Sequence, residues 1–302
     1  MNALKMQLGI VSAALAGDVR EATRFARSLG FAGVQLDAFS TTLDITELSQ
    51  TGRRELRHVI SSADQQLIGL RVDVGPKGLG PGADIDRLLS RFDKVMEAAK
   101  GLAAPLICVE AGPLSEPAPT AKPKPKLTQE QAGFILLPEP AMPEPPPESR
   151  PVPGPNPAMI AQVDSAMAEL GIRADQGGVV LAFASDLSSF AALDRALTAA
   201  SCPWFGVDFD PVAILRDTWT ADEIFSRLGH LVRHVRARDA VVGAGHRTRP
   251  AVIGQGTTTW PQLLTDLDAA GYAGWLTIDP LELPDRVAAA TAGAKHLRTL
   301  LT

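Results

Sequence analysis

Two cysteines and one tyrosine are all that 302 residues carry of those types, and aromatics make up only 5%. Cys108 and Cys202 each fall in an apolar, strand-like or strand-entry context, which reads as buried free thiols and leaves no disulfide framework, zinc pair or redox motif. No run approaches the roughly eighteen apolar residues of a membrane helix. The opening MNALKMQLGIVSAAL passes from one Lys into a strand-like segment with no cleavage pattern, so a cytoplasmic location is expected. Positive charge is in deficit as well: 29 Lys and Arg against 34 Asp and Glu give a net charge of -5. Without a basic cluster interleaved with aromatics, nucleic acid is excluded as a general partner and small molecules or proteins are favoured. A Gly-rich phosphate fingerprint is missing too, since SAALAGD follows the first strand-like run where an open dinucleotide-binding sheet would place GxGxxG.

What the chain does have is alternation. Eight short runs rich in Val, Ile and Leu recur: MQLGIVS (6–12), AGVQLDAF (32–39), LIGLRVDV (67–74), PLICVEAG (105–112), VVLAFAS (179–185), WFGVDFDP (204–211), VRHVRARD (232–239) and GWLTIDP (274–280). Longer amphipathic segments separate them, among them 18–30, 45–66, 83–103, 157–171 and 284–301, several opening on Ser, Thr or Asp and closing on Gly as helix caps require. Eight strand-helix units predict a parallel sheet buried on both faces, and eight is the number that closes a (β/α)8 TIM barrel, here as one domain over 1–302. One segment breaks the rhythm. Residues 113–157 hold fifteen of the 24 prolines, a density that excludes helix and central strand. It is an insertion after strand four, on the rim where barrels place their chemistry. The apolar GFILL (133–137) inside it suggests a surface loop, a lid, or an arm toward a second subunit in a homo-oligomer.

In such a barrel the C-terminal strand ends face the site. The residues there are Asp37, Asp73, Glu110, Asp208, Asp210, Arg236, Arg238, Asp239 and Asp279, mostly acids. Like charges around one mouth repel unless a cation lies among them. Alternation on the seventh strand puts His234, Arg236 and Arg238 on one face, so a guanidinium is available to bridge carboxylates through its fork of donors. The expectation is that Arg236 is flanked by Asp210 and Asp279. His234, one layer deeper, reads as a hydrogen-bonded core histidine. His58 and His296 fall in helices and His230 near a helix end. His246, with Arg247 and Arg249 in GAGHRTRPAVIG, is a candidate for anion contact, and Gly254 and Gly256 in GQG read as a tight turn at the rim. No Ser-His-Asp or Cys-His arrangement has supporting context.

The stretch IGQGTTTWPQLLTDLDAAGYAGWLTID (253–279), supported by LGFAGVQLD (29–37), FGVDFDP (205–211) and VRHVRARD (232–239), resembles the xylose-isomerase-like sugar phosphate isomerase/epimerase TIM barrels, which also look like the type-IV endonuclease barrels. The resemblance implies a divalent metal such as Mn or Zn, held by Glu, Asp, His and Glu at the ends of strands five to eight. Carried over one position at a time, those places fall on Ala184, Asp210, Arg236 and Asp279, and a histidine often found after the strand-six acid falls on Ala213. Two carboxylates and a guanidinium do not supply the donors a divalent ion needs, so no metal and no other cofactor is expected. The reading is a sugar isomerase/epimerase-like protein acting on a small sugar, sugar phosphate or other sugar derivative. Glu110, Asp210, Arg236 and Asp279 are its catalytic candidates; Asp37, Arg238, His246 and Arg247 are its substrate-binding candidates. The alternative is an inactive relative that binds a ligand or a protein partner.

Overall fold

The computed structural model describes residues 4–116, 156–243 and 247–302. Eight parallel strands close into a barrel: β1 (Gln7–Val11), β2 (Gly33–Asp37), β3 (Gln66–Asp73), β4 (Leu106–Glu110), β5 (Val180–Ala184), β6 (Phe205–Phe209), β7 (Val232–Ala237) and β10 (Trp275–Ile278). They run in chain order around the wall, with β10 between β7 and β1. The eight apolar runs of the sequence thus become the eight staves of a TIM barrel. Both faces of each strand are covered, which is why LICVE and FGVDF read as nearly continuous apolar runs rather than alternating ones.

Helices α1 (Val19–Ser28), α2 (Gln50–Ser62), α3 (Ile85–Leu102), α4 (Pro157–Gly177), α5 (Phe190–Ala200), α6 (Pro211–Ile214), α7 (Ala221–Leu228), α8 (Trp260–Ala269) and α9 (Arg286–Leu301) connect the strands. Their starts are set by local chemistry. Asp18, Ser49, Asp84, Ser189 and Asp285 each accept a backbone N–H of the first turn, and Thr220 with Glu223 forms a capping box. The helical segment expected over 45–66 is split: a 3-10 turn at Ile45–Glu47 precedes α2, because Ser49 takes over as cap. The rim segment after β7 pairs antiparallel as a hairpin of β8 (Asp239–Val242) and β9 (Thr248–Ala251). Most of the proline-rich insertion, including 133–137 and any role as a lid or an oligomer arm, lies outside the described residues. Its ends are anchored: Leu114 N–H donates to Ser188 Oγ at 2.6 Å, and Asn156 caps α4.

No helix among the described residues is long and apolar enough to cross a membrane. Cys108 is a buried free thiol as expected, whereas Cys202 is only partly buried.

Candidate active site

The barrel interior is polar where most barrels are packed with aliphatic side chains. His234 and Asp208 have no solvent exposure, and the ring nitrogens of His234 lie 2.6 Å from Asp208 Oδ1 and 2.7 Å from Thr277 Oγ1. A register irregularity between Val207 and Asp208 brings Asp208 opposite His234. The other oxygen of Asp208 accepts from Arg236 at 2.8 Å, and Gln35 donates to Cys108 Sγ at 3.1 Å. Cys108, Asp208 and His234 bring potential metal-ligating atoms within 4.8 Å of one another. Both His nitrogens and both Asp oxygens are already in short hydrogen bonds, so the cluster is a satisfied polar core. His234 is thus the core histidine that alternation implied.

Above this layer, three arginines divide the carboxylates of the mouth. Arg236 donates to Asp208 on the neighbouring strand and to Glu110 Oε2 at 2.9 Å. Arg71 donates from Nε to Asp37 at 2.7 Å and from Nη1 to Asp279 at 3.0 Å. Arg238 donates to Asp186, Glu282 and Asp210. Arg236 and Arg71 are alike in plan, each holding one acid on an adjacent strand and one three strands round the wall. Glu110 and Asp279 themselves end diametrically opposed strands, β4 and β10.

This corrects the expected arrangement around Arg236. Asp210 and Asp279 add to the field that keeps it charged but do not bond it; Asp210 is taken by Arg238 and Asp279 by Arg71, because Glu110 and Asp208 lie closer to Arg236. Three members of the web, Arg71, Asp186 and Glu282, were not among the sequence candidates. Arg71 carried the same signal as Arg236, a charge inside an apolar strand at the parity of Asp73. Asp186 lies two residues beyond Ala184, and only the fold of that turn brings it to Arg238. Arg247 is exposed beside the hairpin tip and does not line the cavity, since pairing of β8 with β9 carries it away; His246 lies outside the described residues.

The mouth encloses a cavity of about 680 Å³, whose wall includes Asp37, Arg71, Glu110, Arg236, Arg238 and Asp279. That volume suits a small-molecule ligand. Burial raises the pKa of Glu110 above the ordinary carboxylate value, with Arg236 opposing and Asp186 adding to the rise. Asp208 goes the other way: burial alone would raise it, but Arg236 and His234 outweigh that and hold it well below the usual range. Two carboxylates on one guanidinium are thereby driven apart in acidity, an arrangement typical of acid/base sites.

The four positions that would hold a divalent ion do not fit one. Ala184 is a buried methyl with no donor. Asp210 accepts from Arg238 and from Val212 N–H, and Asp279 from Arg71 and from Leu281 N–H. Arg236 brings a fixed positive charge into the same mouth, where a second cation would be repelled.

Asp239 has a different job. Its carboxylate accepts five N–H groups at 2.8–3.2 Å: the backbones of Ala240, Gly254, Gly256 and Thr258, and the Trp260 indole. The GQG turn therefore wraps a buried anion. A Cβ on Gly256 would stand 2.1 Å from Asp239 Oδ1, and Gly254 holds φ +84°, so both glycines are required by that wrapping.

The family described as xylose isomerase-like TIM barrel matches residues 23–300. Among solved structures, a xylose isomerase domain protein from Planctomyces limnophilus superposes with a TM-score of 0.71 at 17% identity, covering 99% of this chain and 96% of that one. The 3-keto-D-glucoside 4-epimerase of E. coli gives 0.68 at 17% identity, covering 97% and 99%. D-psicose 3-epimerase from Clostridium cellulolyticum H10, solved with D-tagatose, gives 0.69 at 13% identity, covering 98% and 99%. No curated protein matches the sequence. With the family matched over almost the whole barrel and the fold shared end to end, the chain belongs to the xylose isomerase-like TIM-barrel family.

Proposed function

We propose that the protein is a metal-independent sugar epimerase or isomerase, moving a proton on the carbon beside the carbonyl of a small sugar or sugar derivative. The observation that carries this reading is Glu110: a carboxyl with a raised pKa, 2.9 Å from a buried guanidinium, in the wall of a sugar-sized cavity. Two structural neighbours are named as epimerases of a keto-glucoside and of psicose, and a carbonyl sugar is the substrate class we carry to this chain.

In the proposed step the Glu110 carboxylate takes the proton from the carbon. The C–H electron pair forms a C=C bond, and the carbonyl electrons move onto oxygen, giving an enediolate. Arg236 and Arg71 supply the fixed positive charge that holds that oxyanion, the part an ion plays elsewhere. Inversion needs a second proton on the opposite face. Water passes one through Asp279, which lies across the mouth from Glu110, to the carbon as the enediolate collapses back to the carbonyl, and Glu110 then gives the proton it took to water. Asp37 and Asp186 offer acceptors to sugar hydroxyls.

Incubation with ketoses in D2O tests the step directly. Wild-type protein is expected to wash deuterium into the position beside the carbonyl, and Glu110→Gln to slow the exchange by about 100-fold or more. No exchange with any ketose that binds would instead support the second reading, a relative that binds a sugar without turning it over. That reading is favoured by one feature: Arg236 already has both a neighbouring and a cross-barrel carboxylate as partners.

A further inference from the structure

Among the described residues, Arg91 is the one guanidinium in the cavity wall that no carboxylate holds. It projects from the second turn of α3, partly buried, and its Cζ lies 4.2 Å from the centroid of the Phe39 ring, just after β2. The attraction between a cation and the ring face fixes such a side chain without using its donors. A guanidinium's N–H groups lie in its own plane, so a ring beneath it leaves the fork free. The contrast with Arg71, Arg236 and Arg238 is one of role: those three are tied to two or three carboxylates each, while Arg91 is held ready and uncommitted.

We infer that Arg91 is the anion-recognising group of the cavity, and that the ligand is a sugar carrying a phosphate or a carboxylate. This rests on the sugar-binding reading above and adds its substrate class. The anionic end would take the bidentate fork of Arg91, while the carbonyl end reaches Glu110 and Arg71 in the same cavity. Most acids of the wall are neutralised by guanidiniums in direct contact. Asp73 is not, its carboxylate accepting only the Gly75 N–H, but it is exposed and its field is screened by solvent.

The test compares D-fructose with D-fructose 6-phosphate and D-glucose with D-gluconate, by calorimetry and thermal shift, on wild type, Arg91→Gln and Arg91→Lys. At least one anionic probe is expected to bind about tenfold or more tighter than its neutral counterpart, with added salt weakening only the anionic member. Arg91→Gln should erase that preference, and Arg91→Lys should retain part of it through charge without the planar fork. A preference for the phosphate or for the gluconate alone would support the inference and say which group is recognised. Equal binding of charged and neutral probes overturns it, as does an anion preference that survives Arg91→Gln, or no binding by any of the four. The two readings fail separately. Neutral sugars bound without anion preference, yet exchanging deuterium, would sink the inference and leave the catalytic reading. An Arg91-dependent preference without exchange would do the reverse.

Discussion

Replacing Arg236 by leucine is expected to lower stability by about 4 kcal/mol and the melting temperature by about 10 °C. The side chain is 7% exposed and neutralises Asp208, which has no exposure, and Glu110, which has 21%. Its removal leaves the fully buried Asp208 carboxylate and the largely buried Glu110 carboxylate above it without the guanidinium that both contact. The cost comes from that uncompensated charge rather than from the attraction lost. For this reason adding Asp208→Asn to Arg236→Leu should recover part of the stability, whereas two independent losses would add. The pH dependence follows from Asp208. Its carboxyl is held well below the ordinary range in the folded state, so the stability it contributes is present above about pH 3.9, the unfolded value, and is lost as pH falls toward the folded one. The deficit of Arg236→Leu should therefore be largest near neutrality and shrink in acid. Urea unfolding of both variants between pH 3 and 8 (roughly the range over which carboxylates titrate) measures it, and a deficit independent of pH would show that packing, not charge, is what Arg236 supplies.

Asp239→Ala is expected to cost about 5 kcal/mol, comparable with the Arg236 change though it touches no substrate. Five N–H groups converge on that carboxylate, and each buried donor left without an acceptor costs about 1–3 kcal/mol, less whatever water or relaxation recovers. Asp239→Asn keeps one acceptor oxygen and should fall between. The loss should be local as well as global, with amide exchange at Gly254 and Gly256 rising before the barrel strands open. Unchanged protection at those two amides in Asp239→Ala would contradict the account of the GQG turn.

These two residues show how far the sequence reaches. The barrel was legible because its signals are local and repeated: eight buried apolar runs, capped helices between them, and no competing nucleotide fingerprint. The inward direction of Arg236 and the core role of His234 followed from alternation along VRHVRARD. Partner choice did not. Which carboxylate a guanidinium holds depends on strand stagger and on register, and the irregularity at Val207/Asp208 leaves no mark in the residues themselves. Arg71 was readable in principle, a charge within LIGLRVDV, yet its acids come from β2 and β10 at opposite ends of the chain. Asp239 shared the strand-end pattern of its neighbours but points at the GQG backbone, and only the fold brings residues 254–260 to it. Arg91 carried no strand signal at all; it is a helix residue that the packing of α3 beside Phe39 delivers to the cavity.

The central claim is that guanidiniums supply the positive charge of this mouth and leave no place for a divalent ion. Elemental analysis of the purified protein, followed by calorimetric titration of chelator-treated protein with Mn2+ and Zn2+, tests it most directly. The account predicts no stoichiometric metal in the purified protein and no saturable binding in the titration, with Asp210 and Asp279 remaining on Arg238 and Arg71. One equivalent of tightly bound ion, lost together when Asp210 and Asp279 are both changed to alanine, would contradict it.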